Sequence, residues 1–376
     1  MTCGREEMKK IVRKTIAGIA SVAMLAPMVA GCSKGGKQDL IIYNWGEYIA
    51  EDTIAKFEKE YPQYKVIYRT FETNETMYPN LNNTYDVIIP SEYMVCRLIN
   101  EERIQPIDWS LIPNVSEYMD PIFKDVQYSD DQALSDEVLD YAVPYLYCTV
   151  GLVYDANKIT LPEGTTDPAV IWDVLFNEAN AGEIGMYDAM RESIGVALNY
   201  LGYSINTMDE AQLQEALELL IAQKENLSPA YGVDNLKDKM ASGELQASVA
   251  WSGDHIVMLD RIDELGKTDI DLQFVLPEGS NWSVDMMCIP SNAQNYQGAH
   301  DFINFMYDPQ IALENCEYVG YSTPNTAAKE MLDPEVANNV YYYPTPEIFA
   351  TLEVYYSSSD IEEKYAELWN TVKASA

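Results

Sequence analysis

The chain has 376 residues, 47% of them hydrophobic and 22% charged, and its 60 Asp and Glu outweigh 24 Lys and Arg for a net charge of −36. That length supports two domains with cores of their own, and so acidic a balance argues against nucleic acid and anionic headgroups and favours cationic partners. A polytopic membrane protein is excluded, because the one long apolar stretch, near the N-terminus, falls short of the roughly 20 residues a spanning helix needs.

That stretch reads as an export signal. Met8-Lys9-Lys10-Ile11-Val12-Arg13-Lys14 is a basic start, Ile16 to Val29 is apolar, and Ala30-Gly31-Cys32 closes it with small residues;. Thr2 to Glu7 fit no signal pattern, so Met8 is the expected start. A cysteine directly behind small residues resembles the lipobox of bacterial lipoproteins. The resemblance implies removal of residues 1–31, lipidation of Cys32 and a linker over 32–38. The protein would then lie outside the cytoplasm, in the periplasmic space or at the cell surface, held to the membrane by its lipid alone.

From Asp39 onward short apolar runs alternate with helical patterns. Leu40 to Trp45 predicts a buried strand, Asp52 to Tyr61 a helix stopped by Pro62, Lys65 to Thr70 a second strand and Tyr85 to Pro90 a third, with a helix over Glu92 to Asn100 behind it;. Tyr141 to Tyr154 is a long extended run suited to carrying the chain between two lobes. A second α/β series follows. Helices are predicted near Trp172 to Ala179, over Arg191 to Leu201 and around Leu213, Ala216, Leu217 and Leu220, with strands at Glu183 to Met186, Gln246 to Trp251, Asp271 to Leu276 and Val284 to Pro290;. Helices over Ala299 to Met306 and Ile311 to Tyr318, a turn at Tyr321-Ser322-Thr323-Pro324-Asn325 and a terminal helix from Ile361 to Ala374 complete the α/β pattern;.

Catalytic signatures are scarce. The chain has no GxSxG elbow, HExxH, Walker A loop or GxGxxG, and two histidines, His255 and His300, so no metal or cofactor is expected and catalytic residues are assigned to none;. Cys96, Cys148, Cys288 and Cys316 form no CxxC pair and are expected to be buried free thiols;. With 60 acids, a two-carboxylate glycan hydrolase stays open as an enzymatic alternative;.

What stands out is the company acids keep with aromatic rings at strand ends: Asn44-Trp45-Gly46-Glu47-Tyr48, Ser91-Glu92-Tyr93, Trp251-Ser252-Gly253-Asp254 and Asn281-Trp282-Ser283-Val284-Asp285. Loops at the carboxyl ends of strands line the ligand crevice of α/β sheets. Aromatic faces attract ammonium groups and cover methylene chains, while carboxylates grip the charged ends. Such a lining suits a flexible di- or tri-cation.

In this order, Ile42 to Ile49, Tyr68 to Met77, Tyr85 to Ser91 and Val319 to Asn325 resemble the spermidine/putrescine-binding proteins of ABC transporters, over essentially the whole exported chain. The resemblance implies the type II periplasmic-binding-protein fold, two α/β lobes joined by a hinge with the ligand cleft between them. It implies lobes of residues 39–147 plus 284–328 and 148–283 plus 329–376, and a monomer that hands a polyamine to a permease, or less closely a receptor for another small cationic or polar solute. By the same resemblance Trp45 and Tyr48 flank the ligand with Glu47 beside them, Ser91 and Tyr93 follow the third strand, and Glu192 and Asp285 grip amines. Trp251 stacks on the chain and Tyr321 precedes the Thr-Pro-Asn turn. Two positions depart from the family. Its acid three before Glu192 falls on Ala189, with Asp188 adjacent, and its tryptophan two before Asp285 falls on Ser283, with Trp282 adjacent; Asp188 and Trp282 are carried as the substitutes.

Overall fold

The computed structural model describes residues 36–356 and 358–375, so the leader, the cut site and Cys32 lie outside the described residues. The chain enters on β1 (Gln38–Trp45), passes through α1 (Thr53–Glu60) and returns on β2 (Tyr64–Phe71), parallel to β1. The predicted third strand contracts to β3 (Val87–Ile88), on the other side of β1, whereas α2 (Glu92–Asn100) has the expected bounds and buries Tyr93, Met94, Val95, Cys96 and Leu98. After β4 (Ile104–Gln105) comes α3 (Gln132–Tyr141), which its acidic composition hides in the sequence. The extended run is β5 (Ala142–Asp155), a strand buried at all but one position because both its faces are covered;.

The second series comprises α4 (Pro168–Phe176), β6 (Ile184–Tyr187), α5 (Met190–Tyr200), α6 (Glu210–Leu227) and β7 (Ala230–Gly232), then α7 (Asp234–Ser242), β8 (Ala247–Trp251), α8 (Ser252–Leu265) and β9 (Leu272–Val275). The sequence pattern missed α7, whose Asp234-Asn235-Leu236-Lys237-Asp238-Lys239 carries too few apolar residues to show a period;. β10 (Trp282–Pro290) leads back to the first half, where α9 (Tyr296–Met306) packs on β10 and α10 (Pro309–Val319) on α9, and α11 (Ser359–Ala374) packs on α5 and α6. The strand order is β2-β1-β3-β10-β5-β8-β6-β7, with β4 on β10 and β9 on β5. β5 therefore belongs to both halves: residues up to Thr149 pair antiparallel with β10, and from Val150 onward it pairs antiparallel with β8 and β9.

One irregularity positions the site. Asp285 faces Leu146 and Met286 faces Pro144, so the register slips by one between them. Pro144 has no N–H for the ladder, and Met286 donates instead to the Pro90 carbonyl at 2.8 Å. Such a bulge re-aims a side chain; here it brings Asp285 alongside Ser91, at the start of α2. Cys96, Cys148, Cys288 and Cys316 are all free and buried, as expected. Trp172 and Trp369 are packing residues, and His255, inside α8, lies between the Tyr342 hydroxyl and the Leu272 carbonyl, with burial holding its pKa down at about 4.

Candidate functional site

The segments behind β1, β2, β3, β6, β7 and β8 converge with Ser283 and Asp285 of β10 on a cleft of about 310 Å³. Its first wall is the turn behind β1. Asn44, buried at the strand end, donates to the Tyr68 hydroxyl at 2.8 Å and the Tyr48 carbonyl at 3.3 Å, and its carbonyl oxygen accepts from the Trp45 N–H at 2.8 Å. The turn so pinned holds Glu47 at φ 47°, a left-handed backbone that a side chain other than glycine rarely adopts. Trp45, Glu47 and Tyr48 all face the cleft; the Trp45 ring lies 4.6 Å from Phe71, and its indole N–H is buried without a partner.

Asp285 sits at the centre. Its carboxylate accepts the hydroxyls of Tyr48 at 2.7 Å and Ser91 at 2.8 Å, and burial lifts its pKa to about 6 although both donors pull the other way. Glu192, in the first turn of α5, is raised to about 7, first by burial and then by the charges of Glu75 and Asp285, with Arg191 among the opposing groups. Tyr93 accepts from the Asn74 amide at 2.9 Å and donates to Glu75 at 3.0 Å. Among the described residues no ion pair within 4.0 Å reaches Asp285 or Glu192.

The opposite wall is built on β8 and α8. Trp251 stacks on Tyr187 with centroids 4.3 Å apart, and its backbone N–H donates to the Tyr187 hydroxyl, which donates in turn to Asp254, each at 2.8 Å. Asp254 is buried and faces Lys237 of α7 at 3.6 Å; Glu47 reaches across to Lys237 at 3.8 Å and to Arg261 at 3.6 Å. Tyr321 closes this side, edge-on to Tyr48 at 5.3 Å. Its ring lies where a Cβ on Gly253 would come within 1.9 Å, so only glycine fits there;.

Nine of the eleven expected residues line the cleft: Trp45, Glu47, Tyr48, Ser91, Tyr93, Glu192, Trp251, Asp285 and Tyr321. Two do not, and both are corrected. Asp188, just past β6, is exposed and pairs with Lys373 at 3.1 Å. Trp282 is buried against Phe123, Tyr147 and Phe349. Strand alternation sends neighbours to opposite faces, and it is Ser283 that lines the cleft, where its hydroxyl donates to Glu92 at 2.7 Å. Glu92 also accepts the Val284 N–H at 3.0 Å, its other oxygen is buried without a partner, and burial drives its pKa to about 8.

Sequence reasoning missed Glu75, Lys237, Asp254 and Arg261. Glu75 and Asp254 stood inside segments already singled out, but Lys237 and Arg261 sit in ordinary charged helices and reach the cleft only through the fold. The lining holds seven carboxylates (Glu47, Glu72, Glu75, Glu192, Asp234, Asp254, Asp285) against the cations Lys237 and Arg261. Aromatic rings over an excess of carboxylate, from exposed Glu47 to buried Asp254, suit an organic cation;. Among the described residues no three His, Cys, Asp or Glu are placed to hold a metal ion, and no helix is long and apolar enough to cross a membrane.

Residues 52–343 match the family described as bacterial extracellular solute-binding protein. The chain is 32% identical to the spermidine/putrescine-binding periplasmic protein of Salmonella typhimurium over 374 residues, 98% of this chain and 99% of the relative. It is 28% identical to the putrescine-binding periplasmic protein PotF of Escherichia coli over 380 residues, 98% of this chain and 100% of the relative. Among solved structures, the spermidine/putrescine ABC transporter substrate-binding protein PotD of Streptococcus pneumoniae superposes with a TM-score of 0.72 at 34% identity, covering 90% of this chain and 99% of the other.

Proposed function

This chain belongs to the family of bacterial extracellular solute-binding proteins, and from that premise we propose that it is the receptor that captures a polyamine, spermidine or putrescine, for an ABC importer. Its fold is the two-lobe α/β architecture of periplasmic binding proteins. The observation that carries the polyamine reading is Asp285: a half-buried carboxylate that accepts two hydroxyls, has the Tyr48 ring beside it, and among the described residues meets no cationic side chain within 4.0 Å. Removing such a group from water is unfavourable until a cation joins it. An ammonium supplies the missing partner, and Trp45, Trp251 and Tyr321 cover the methylene chain behind it.

The reading assigns ligand contacts to Trp45, Glu47, Tyr48, Ser91, Tyr93, Glu192, Trp251, Asp285 and Tyr321. It takes residues 39–147 with 284–328 as one lobe and 148–283 with 329–376 as the other, supported by the way β5 and β10 span both halves. Ligand bias toward a closed state would then drive the lobes together. Cys32 is the proposed lipid anchor, the receptor works outside the cytoplasm as a monomer, and selection rests on binding with no chemical step.

Calorimetric titration of the chain from Ser33 onward with putrescine, cadaverine, spermidine and spermine tests this, with an uncharged sugar as control. One-to-one binding of a polyamine, abolished by Asp285→Ala, is the expected outcome. Silence toward all four overturns the reading, and turnover of a glycan lost in Asp285→Ala would establish the hydrolase in its place.

A further inference from the structure

One ammonium is already built into the cleft. Lys237 is buried on α7, and its Nζ lies 2.9 Å from Asp234, 3.6 Å from Asp254 and 3.8 Å from Glu47. These carboxylates come from α7 itself, from α8 and from the turn behind β1, so the lysine is held from both sides of the cleft. Burial alone would favour a neutral amine, but the carboxylates, Asp254 foremost, hold its pKa above the ordinary value. Asp254 is also fixed by the Tyr187 hydroxyl at 2.8 Å, on the ring that stacks against Trp251. Aromatic face, buried carboxylate and ammonium together repeat, inside the protein, the arrangement a polyamine end would make.

The cleft acids thus divide into two groups. Glu47, Asp234 and Asp254 surround Lys237, whereas Asp285 and Glu192 have no ion-pair partner within 4.0 Å among the described residues. A ligand ammonium gains most where buried charge is still uncompensated, and loses where it must meet a like charge. We propose that Lys237 permanently fills one ammonium position of the cleft, so that this receptor selects diamines and repels the third ammonium of a triamine. The proposal rests on the polyamine reading above and names the residue that sets ligand length and charge within it. A longer cation running from Asp285 toward Asp254 would place its far end against the lysine.

The test compares dissociation constants of putrescine, spermidine and a spermidine acetylated on the amine of its three-carbon arm, which keeps two ammonium groups at putrescine spacing. The unaltered chain is expected to bind putrescine and the acetylated triamine about tenfold or more tightly than spermidine. In Lys237→Met, which keeps the apolar stem, the order should invert toward spermidine by at least as much, because Asp254 is released for a third ammonium. The double variant Lys237→Met/Asp254→Asn should return to the diamine preference, which separates a freed carboxylate from freed space. The acetylated ligand needs no variant, so the test survives should Lys237→Met fail to fold. Absence of any polyamine binding overturns the receptor reading itself. Binding in which spermidine matches putrescine in the unaltered chain, or in which Lys237→Met leaves the ratio unchanged, overturns the Lys237 assignment alone.

Discussion

Polyamine affinity should fall steeply on acidification, and the two central carboxylates say by how much. Glu192 titrates near 7 and Asp285 near 6, both raised by burial. An ammonium partner favours the ionised acids, so binding lowers both pKa values and releases protons; affinity is therefore full above pH 7 and lost as pH drops through 7 and then 6. Alkylammonium groups keep their protons throughout this range. At pH 8 both acids are essentially ionised, whereas at pH 5 ionising the pair costs about 4 kcal/mol, roughly a thousandfold in Kd. Glu192→Gln should leave only the Asp285 step, shrinking the same interval to about tenfold. Calorimetry in two buffers of different ionisation enthalpy, near pH 6.5, counts the protons released as the ligand binds. A Kd that is flat between pH 8 and pH 5, or binding with no proton release, would refute the assignment of these two acids to the ligand.

Three further outcomes follow from the geometry. Asp285→Asn, which keeps the volume but removes the charge, should weaken polyamine binding by about 2 to 5 kcal/mol, and titration calorimetry showing less than a tenfold change would count against it. Gly253→Ala drives a Cβ into the Tyr321 ring; overpacking of this kind costs about 1 to 3 kcal/mol, so a lowered midpoint in a urea melt should accompany weaker polyamine binding, and unchanged values for both would show that the ring has room. Glu92 is protonated in the folded chain up to about pH 8 but ionises near 4.5 when unfolded, so the folded state binds more protons and stability falls as pH rises between those values. Glu92→Gln should flatten that loss, worth a few kcal/mol, in urea melts at pH 5 and pH 8, and parallel pH profiles for the two chains would exclude Glu92 as its source.

What could be read from the sequence was the part of the site that is local. Trp45, Glu47 and Tyr48 follow a strongly apolar strand within four residues, so the strand end and the cleft-facing turn announce each other. Trp251 and Tyr321 were reachable in the same way, each at the edge of a clear element. The two errors are errors of direction. Trp282 and Ser283 are adjacent on β10, so alternation turns them to opposite faces, and counting in twos from Asp285 puts Ser283 rather than Trp282 on the cleft side, the register slip coming only after the acid;. Asp188 fails because it stands where β6 ends, before α5 begins, and its carboxylate finds Lys373, 185 residues away in sequence. Lys237 was invisible for a related reason: beside Asp234 it looks like an ordinary solvated pair on a charged helix, and only the packing of α7 against α8 buries it under Asp254.

The strand pair that spans the molecule has a mechanical meaning. β5 and β10 are bonded to each other on both sides of the junction, with Trp282 opposite Thr149 and the Val150 N–H on the Asn281 carbonyl at 2.8 Å. A double-stranded ribbon of this kind resists shear along its length, because sliding breaks every rung at once, yet twists readily in the sense native to β-structure. On the proposed lobes this ribbon would act as a torsion bar between the halves, with Asp285 mounted on the bar itself. Closure by such a rotation would carry Asp285 together with Tyr48 and Ser91, its hydrogen-bond partners in the same proposed half, so that gripping the cargo and swinging shut would share one degree of freedom.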